Sequence, residues 1–171
     1  MSTHAETLFV AHRGRVFRYL CRAVGQIETA RDLTQDVFLR VTRSDPPSGS
    51  EDAQRGWLFS IARNIVIDHH RREGRRPIEA SPDSVPARPA SQDVATAVNQ
   101  ALTALPDLDR DVFLLREIAG LSYDEIAVAC ALSSDGVRSR IHRARLLLRE
   151  QLAAPISQRR QHPIRRPGLS D

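Results

Sequence analysis

The sequence predicts an all-α fold: two small helical domains joined by a Pro-rich linker, the C-terminal one containing a helix-turn-helix. Three observations carry this. Apolar residues recur at helical spacing through both halves of the chain. No run of alternating β-branched residues argues for a strand. Residues 77–91 hold four prolines and almost no large apolar side chain, so they cannot bury enough surface to offset their ordering entropy. The expected organisation is a helical domain over 1–76, a flexible linker over 77–91, a second helical domain over 92–152 and a disordered basic tail over 153–171.

In the first half, Leu8, Val10, Val16, Phe17 and Leu20 form an apolar stripe on a helix of about Thr3–Val24, which Gly25 ends. A second helix, about Glu28–Arg43, places Ala30, Leu33, Val37 and Val41 on one face. The Pro- and Ser-rich loop Asp45–Asp52 breaks it. A third helix, about Gln54–Arg72, carries Trp57, Leu58, Ile61 and Ile65.

The second half opens with Val94, Val98, Ala101 and Leu105 at helical spacing, and Pro106 marks a break. Val112, Phe113, Leu115 and Ile118 supply a short helix. Another follows from Leu121, where Ser122 and Glu125 have capping-box spacing and Leu121 can staple onto Ile126. Ser133 or Ser134 caps the last helix, about Ser134–Leu152, and Asp135 favours the positive end of its dipole. At about 100° per residue, Val137, Ile141, Ala144 and Leu148 share one face. Asp135, Arg138, Ser139, His142 and Arg143 point the other way. Two short helices joined by a tight turn, the second helix basic, make the outline of a helix-turn-helix.

Charge sharpens this outline. All 25 basic residues are arginine, and the net charge is only +4, so its distribution matters more than its size. Residues 98–135 sum to −5, while residues 136–152 sum to +4, and the sign changes abruptly at Gly136. Arginine suits bidentate contact with phosphate and guanine.

Other classes find little support. The N-terminus shows no basic region followed by an apolar stretch, so a cytoplasmic protein is expected. Cys21 and Cys130 lie within helical patterns and read as small buried hydrophobes. His4, His12, His69, His70, His142 and His162 show no ligand spacing with cysteine or carboxylate, and no phosphate loop or nucleophile motif occurs. No metal, cofactor or enzymatic activity is expected.

Two stretches of the second half, Leu121-Ser122-Tyr123-Asp124-Glu125-Ile126-Ala127 and Val137-Arg138-Ser139-Arg140-Ile141-His142-Arg143-Ala144-Arg145, resemble the C-terminal domain of extracytoplasmic-function (ECF) RNA polymerase sigma factors of the sigma-70 family. In the first half, Ala30 to Val41 resembles the family's polymerase-binding helix. Trp57 to Asn64, running on to Ile67 to Arg72, resembles its promoter-melting helix. The three motifs occur in the family's order across about residues 8–152.

The resemblance implies an alternative sigma factor that directs promoter-specific transcription initiation. Its partners are core RNA polymerase, through the clamp coiled coil of the β′ subunit, promoter DNA and an anti-sigma factor, with no membrane insertion. Asp32, Gln35 and Asp36 are the implied polymerase contacts. Arg63, Asn64, Arg71 and Arg72 are implied at the −10 element, where Asn64 helps hold an extruded base, with Arg75 and Arg76 as further phosphate binders. Trp57 and Phe59 are candidates for stacking on bases, although Trp57 also suits the small core. Arg116, Arg138, Ser139, His142 and Arg143 are implied at the −35 element, and Arg140 and Arg145 flank them as phosphate binders. Two positions depart from the family pattern: Ala131 stands where glycine is common in the turn, and Ser134-Asp135-Gly136 opens the last helix with an acid. Two rival readings are a free-standing helix-turn-helix regulator and a sigma-like decoy that binds an anti-sigma factor. The first leaves the N-terminal motifs without a role, and the second has no need of a basic recognition helix.

Overall fold

The computed structural model describes residues 4–74 and 89–153. These form α1 (His4–Val24), α2 (Ile27–Thr42), α3 (Glu51–Arg72), α4 (Pro89–Thr103), α5 (Asp107–Glu117), α6 (Tyr123–Cys130) and α7 (Ser134–Ala153). No strand occurs among the described residues. Most of the expected linker, residues 77–88, lies outside them, as do Arg75, Arg76 and residues 154–171 of the expected tail.

The helices α1, α2 and α3 pack on one another. α1 stops at Gly25, whose φ of 75° is free of steric penalty for glycine. Its N–H closes the final turn on the Cys21 carbonyl at 3.0 Å. Ser50 caps α3 by accepting the Ala53 N–H at 3.2 Å. This cap starts the helix at Glu51, so Glu51 and Asp52 belong to α3 rather than to the preceding loop. Val16, Tyr19 and Leu20 from α1, Val37 from α2, and Leu58 and Phe59 from α3 are fully buried. Burying each large apolar side chain contributes about 1.5–3 kcal/mol.

In the second half α7 lies against α4, α5 and α6. Residues 89–91, expected in the linker, are instead the first turn of α4. Proline's fixed φ suits the first helical position, where its missing N–H leaves no bond unmade. The α6 N-terminus is locked by a full capping box. The Ser122 hydroxyl accepts the Glu125 N–H at 3.2 Å, and the Glu125 carboxylate accepts the Ser122 N–H at 2.6 Å. Leu121 and Ile126, the expected staple, are both fully buried. Of the two candidate serines before α7, Ser133 is the cap, accepting the Gly136 N–H at 3.1 Å. The turn between α6 and α7 passes through Ala131 at φ 53° and ψ 47°, the left-handed conformation the sequence departure pointed to.

The two halves are packed together. The most extensive helix–helix contact of the molecule joins α3 to α6, and α1 also touches α5. Buried residues of both halves form one continuous apolar cluster.

Candidate nucleic-acid interface

The last helix presents two opposed faces. Val137, Ile141 and Ala144 are at most 1% exposed and face the preceding helices, with Leu148 buried beyond them. Asp135, Arg138, Ser139, His142 and Arg143 are all exposed, so the helical spacing separates a packed face from an exposed face as expected. Arg138 and Arg116 both lie over the Tyr123 ring, their guanidinium carbons 5.7 Å and 5.1 Å from its centroid. Arg116 also donates to the Leu121 carbonyl at 2.7 Å. The α5–α6 loop, the α6 N-terminus and the exposed face of α7 are therefore tied at one point by cation–π and hydrogen-bond contacts. Besides the Tyr123 ring, Arg138 has a long contact with Asp135, 3.8 Å, and its side chain is 66% exposed.

The flanking arginines are ion-paired within the fold. Arg140 donates to Asp109 at 2.7 Å, and Asp109 has no exposed surface. Arg145 donates to Glu117 at 2.7 Å, which holds its guanidinium above the ordinary arginine range. Both guanidiniums thus have a partner within the fold, and Arg145 keeps 52% of its side chain exposed. The reason for Arg140 is electrostatic: a carboxylate taken fully out of water needs a paired donor. Arg143 reaches the same Asp109 carboxylate at 3.5 Å while staying 54% exposed, so it is anchored at one edge and open at the other.

In the N-terminal half, Asn64, Arg71 and Arg72 are exposed along α3. Arg63 is not free: it donates to Asp111 of α5 at 2.9 Å, with only 18% of its side chain exposed. Burial pushes the Asp111 carboxyl up, although the Arg63 charge opposes that shift. Phe59 has no exposed surface and meets Tyr19 edge-on at 6.0 Å, so it is a core residue and not a stacking platform for bases. Trp57 is partly buried against the apolar cluster, as the core reading requires.

Asp32, Gln35 and Asp36 are all exposed on α2, and Leu39 continues the same side of the helix with 51% exposure. Below them Phe38 packs edge-on against Phe9 at 4.9 Å. The two cysteines are unpaired, and desolvation pushes the buried Cys130 thiol up to about 11, as expected of a small apolar core residue.

Sequence reasoning missed Asp109, Tyr123, Asp111 and Gly56. A buried acid in a helix rich in acids carries no local signal. Asp111 matters through Arg63 in the other half, and Gly56 through α6, where an added Cβ would lie 2.9 Å from the Glu125 carbonyl oxygen. Tyr123, adjacent to the capping serine, was the one within reach.

With this geometry in view, residues 8–76 match the Sigma-70 region 2 family and residues 95–148 match Sigma-70, region 4. The chain is 38% identical over 160 residues to the ECF RNA polymerase sigma factor SigE of Mycolicibacterium smegmatis, covering 88% of this chain and 62% of that protein. It is 35% identical over 156 residues to the ECF RNA polymerase sigma factor SigD of Mycobacterium bovis, covering 81% and 72% respectively. It spans 57% of the length of SigI of Mycobacterium tuberculosis, a probable ECF sigma factor, at 34% identity and over 90% of this chain. Among solved structures, CnrH in complex with the cytosolic domain of CnrY superposes with a TM-score of 0.67 and 25% identity, covering 86% of each chain. The sigma factor RpoE of Bartonella quintana, in complex with the anti-sigma factor NepR, shares the fold with a TM-score of 0.67 and 24% identity over 86% of this chain and 95% of that one. No helix among the described residues is long and apolar enough to cross a membrane.

Proposed function

Because the chain belongs to the ECF group of the sigma-70 family, we propose that it binds core RNA polymerase and directs promoter-specific initiation by recognising −35 and −10 elements. The observation that carries this reading is the opposed faces of α7. A buried apolar stripe fixes the helix, and Arg138, Ser139, His142 and Arg143 stand exposed on its other side. In this reading the arginines meet guanines and phosphates, and Ser139 and His142 meet base edges, each good bidentate base contact discriminating by about 1–3 kcal/mol.

The other functions fall to the first half. Asp32, Gln35 and Asp36 offer an acidic and amide surface to a basic helix of the polymerase clamp, the β′ coiled coil. Asn64 offers both a donor and an acceptor to the Watson–Crick edge of a base extruded at the −10 element. Arg71 and Arg72 neutralise phosphates beside it. Arg63 joins them only after it leaves Asp111. An enzymatic role has no place in this scheme.

The protein acts where polymerase and promoter meet, in the bacterial cytoplasm. An anti-sigma factor is a further expected partner, supported by relatives solved in complex with CnrY and with NepR.

The test combines purified core polymerase, this protein and a DNA library, and maps the transcripts. Promoter-specific start sites that depend on the protein support the proposal. Duplex binding with no dependence on polymerase favours a lone regulator. Capture of an anti-sigma factor with no transcription favours a decoy.

A further inference from the structure

The first three turns of α7 carry one acid, Asp135, on the face that also bears Arg138, Ser139 and His142. At about 100° per residue, Asp135 lies about 160° around the helix from Val137, which is buried. Its side chain is 94% exposed. The two serines before it are engaged elsewhere. Ser133 caps the helix by accepting the Gly136 N–H, and Ser134 donates to Asp124 at 2.5 Å. The cation that Asp135 meets is Arg138, one turn along, at 3.8 Å. That is too long for a hydrogen bond, so the carboxylate steers the guanidinium without closing on it. The Tyr123 ring lies against the same guanidinium, its centroid 5.7 Å from the central carbon. Arg138 therefore stands bracketed between an acid and an aromatic face.

We propose that Asp135 is a specificity-determining residue for the upstream promoter element. With Arg138 it forms a donor–acceptor pair that selects a cytosine beside the guanine that Arg138 meets. This rests on the promoter reading proposed above. In the major groove guanine presents two acceptors, N7 and O6, and cytosine presents its N4 amine as a donor. A guanidinium and a carboxylate side by side on one helix face match that row of groups. The Arg138 N–H groups donate to guanine, and an Asp135 oxygen accepts from the cytosine amine. Residues at the N-terminal end of a recognition helix are the ones that reach base edges, and Asp135 is the second residue of α7. The carboxylate also rejects: guanine and thymine turn acceptors towards it in place of the amine. Any duplex repels the acid through its phosphates, and only a site with an amine at the right place offsets that repulsion. The effects of Asp135 on specificity and on general DNA affinity therefore have opposite signs. An acid in the first turn also interacts favourably with the helix dipole, but that role alone predicts no change in base preference.

Full-length wild type, Asp135→Ala and Asp135→Asn are each combined with core polymerase and a promoter library randomised across the upstream element. Sequencing of the transcribed members gives the base preference at each position. Binding of each reconstituted polymerase to a promoterless duplex is measured in parallel. The wild type is expected to prefer cytosine at one position, and Asp135→Ala to lose about tenfold of that discrimination. The same variant is expected to bind the promoterless duplex several-fold more tightly. Asp135→Asn is expected to move the preference towards adenine, whose N6 and N7 an amide meets bidentately. A wild type indifferent to cytosine, or base preferences unchanged in both variants, overturns the proposal. So does a parallel loss of promoter use and promoterless binding in Asp135→Ala, the result of a merely structural role in starting α7. Absence of promoter-specific transcripts from the wild type instead overturns the promoter reading on which the pair rests.

Discussion

Arg140 of α7 and Asp109 of α5 form an ion pair of 2.7 Å in which the carboxylate is fully buried and the guanidinium is 29% exposed. This contact sets the height and rotation of α7 over α5, and with them the direction in which Arg138 and Arg143 project. Removing the acid alone leaves a half-buried guanidinium without its counter-charge. Asp109→Ala is expected to destabilise the fold by about 2–4 kcal/mol in urea denaturation. Replacing both partners, as in Asp109→Leu with Arg140→Met, is expected to restore most of that loss.

Ala131 predicts an effect of the opposite sign. It is the one non-glycine residue with positive φ among those described. A side chain in the left-handed region costs roughly 1–2 kcal/mol, partly offset by alanine's lower freedom in the unfolded chain. Ala131→Gly is therefore expected to stabilise the protein by about 0.5–1 kcal/mol, a rise in Tm of about 1–4 °C by calorimetry. A lower Tm would mean that the turn draws on contacts of the alanine methyl.

Much of this half was legible in the sequence because its signals are local. Ser122 and Glu125 are three positions apart and cap each other. The stripe Val137, Ile141, Ala144 and Leu148 follows a single helical period because α7 is buried on one side only. α3 reads less clearly for a physical reason: it is covered by α1 and α2 on one side and by α6 on the other. Its apolar residues therefore run together as Trp57-Leu58-Phe59, and periodicity does not tell core from reading face. Phe59, by its pattern a candidate for stacking on bases, is fully buried. Nothing local reveals that Arg63 pairs with Asp111, which lies 48 positions away. The ion pairs of Arg140 and Arg145 were illegible for the same reason, their partners lying on another helix.

Two histidines predict how the fold responds to acid. Burial lowers the pKa of His70, against the raising effect of its 3.1 Å hydrogen bond with the Ala23 carbonyl. His12, also buried, is lowered first by desolvation and then by the Arg55 charge. A depressed histidine binds its proton more weakly in the folded state than in the unfolded chain. Stability is thus complete above the unfolded value near about 6.5 and is lost as pH falls from there through the folded values. Urea midpoints measured from pH 7.5 to 5 should decline, and His70→Gln, which keeps an N–H donor, should flatten part of the decline. An equal slope in the variant would remove His70 from the explanation.

The division of labour between the two halves is the central claim, and one paired measurement tests it most directly. Polymerase reconstituted with Arg138→Ala or Asn64→Ala is assayed on one promoter for upstream duplex binding and for strand opening. The account predicts that Arg138→Ala weakens promoter binding by about 10- to 100-fold, the equivalent of about 1–3 kcal/mol. Asn64→Ala should bind upstream DNA almost as well as wild type and fail to hold the opened strand. Unchanged promoter choice and strength in the Arg138→Ala enzyme would contradict the assignment of α7 as the reading helix.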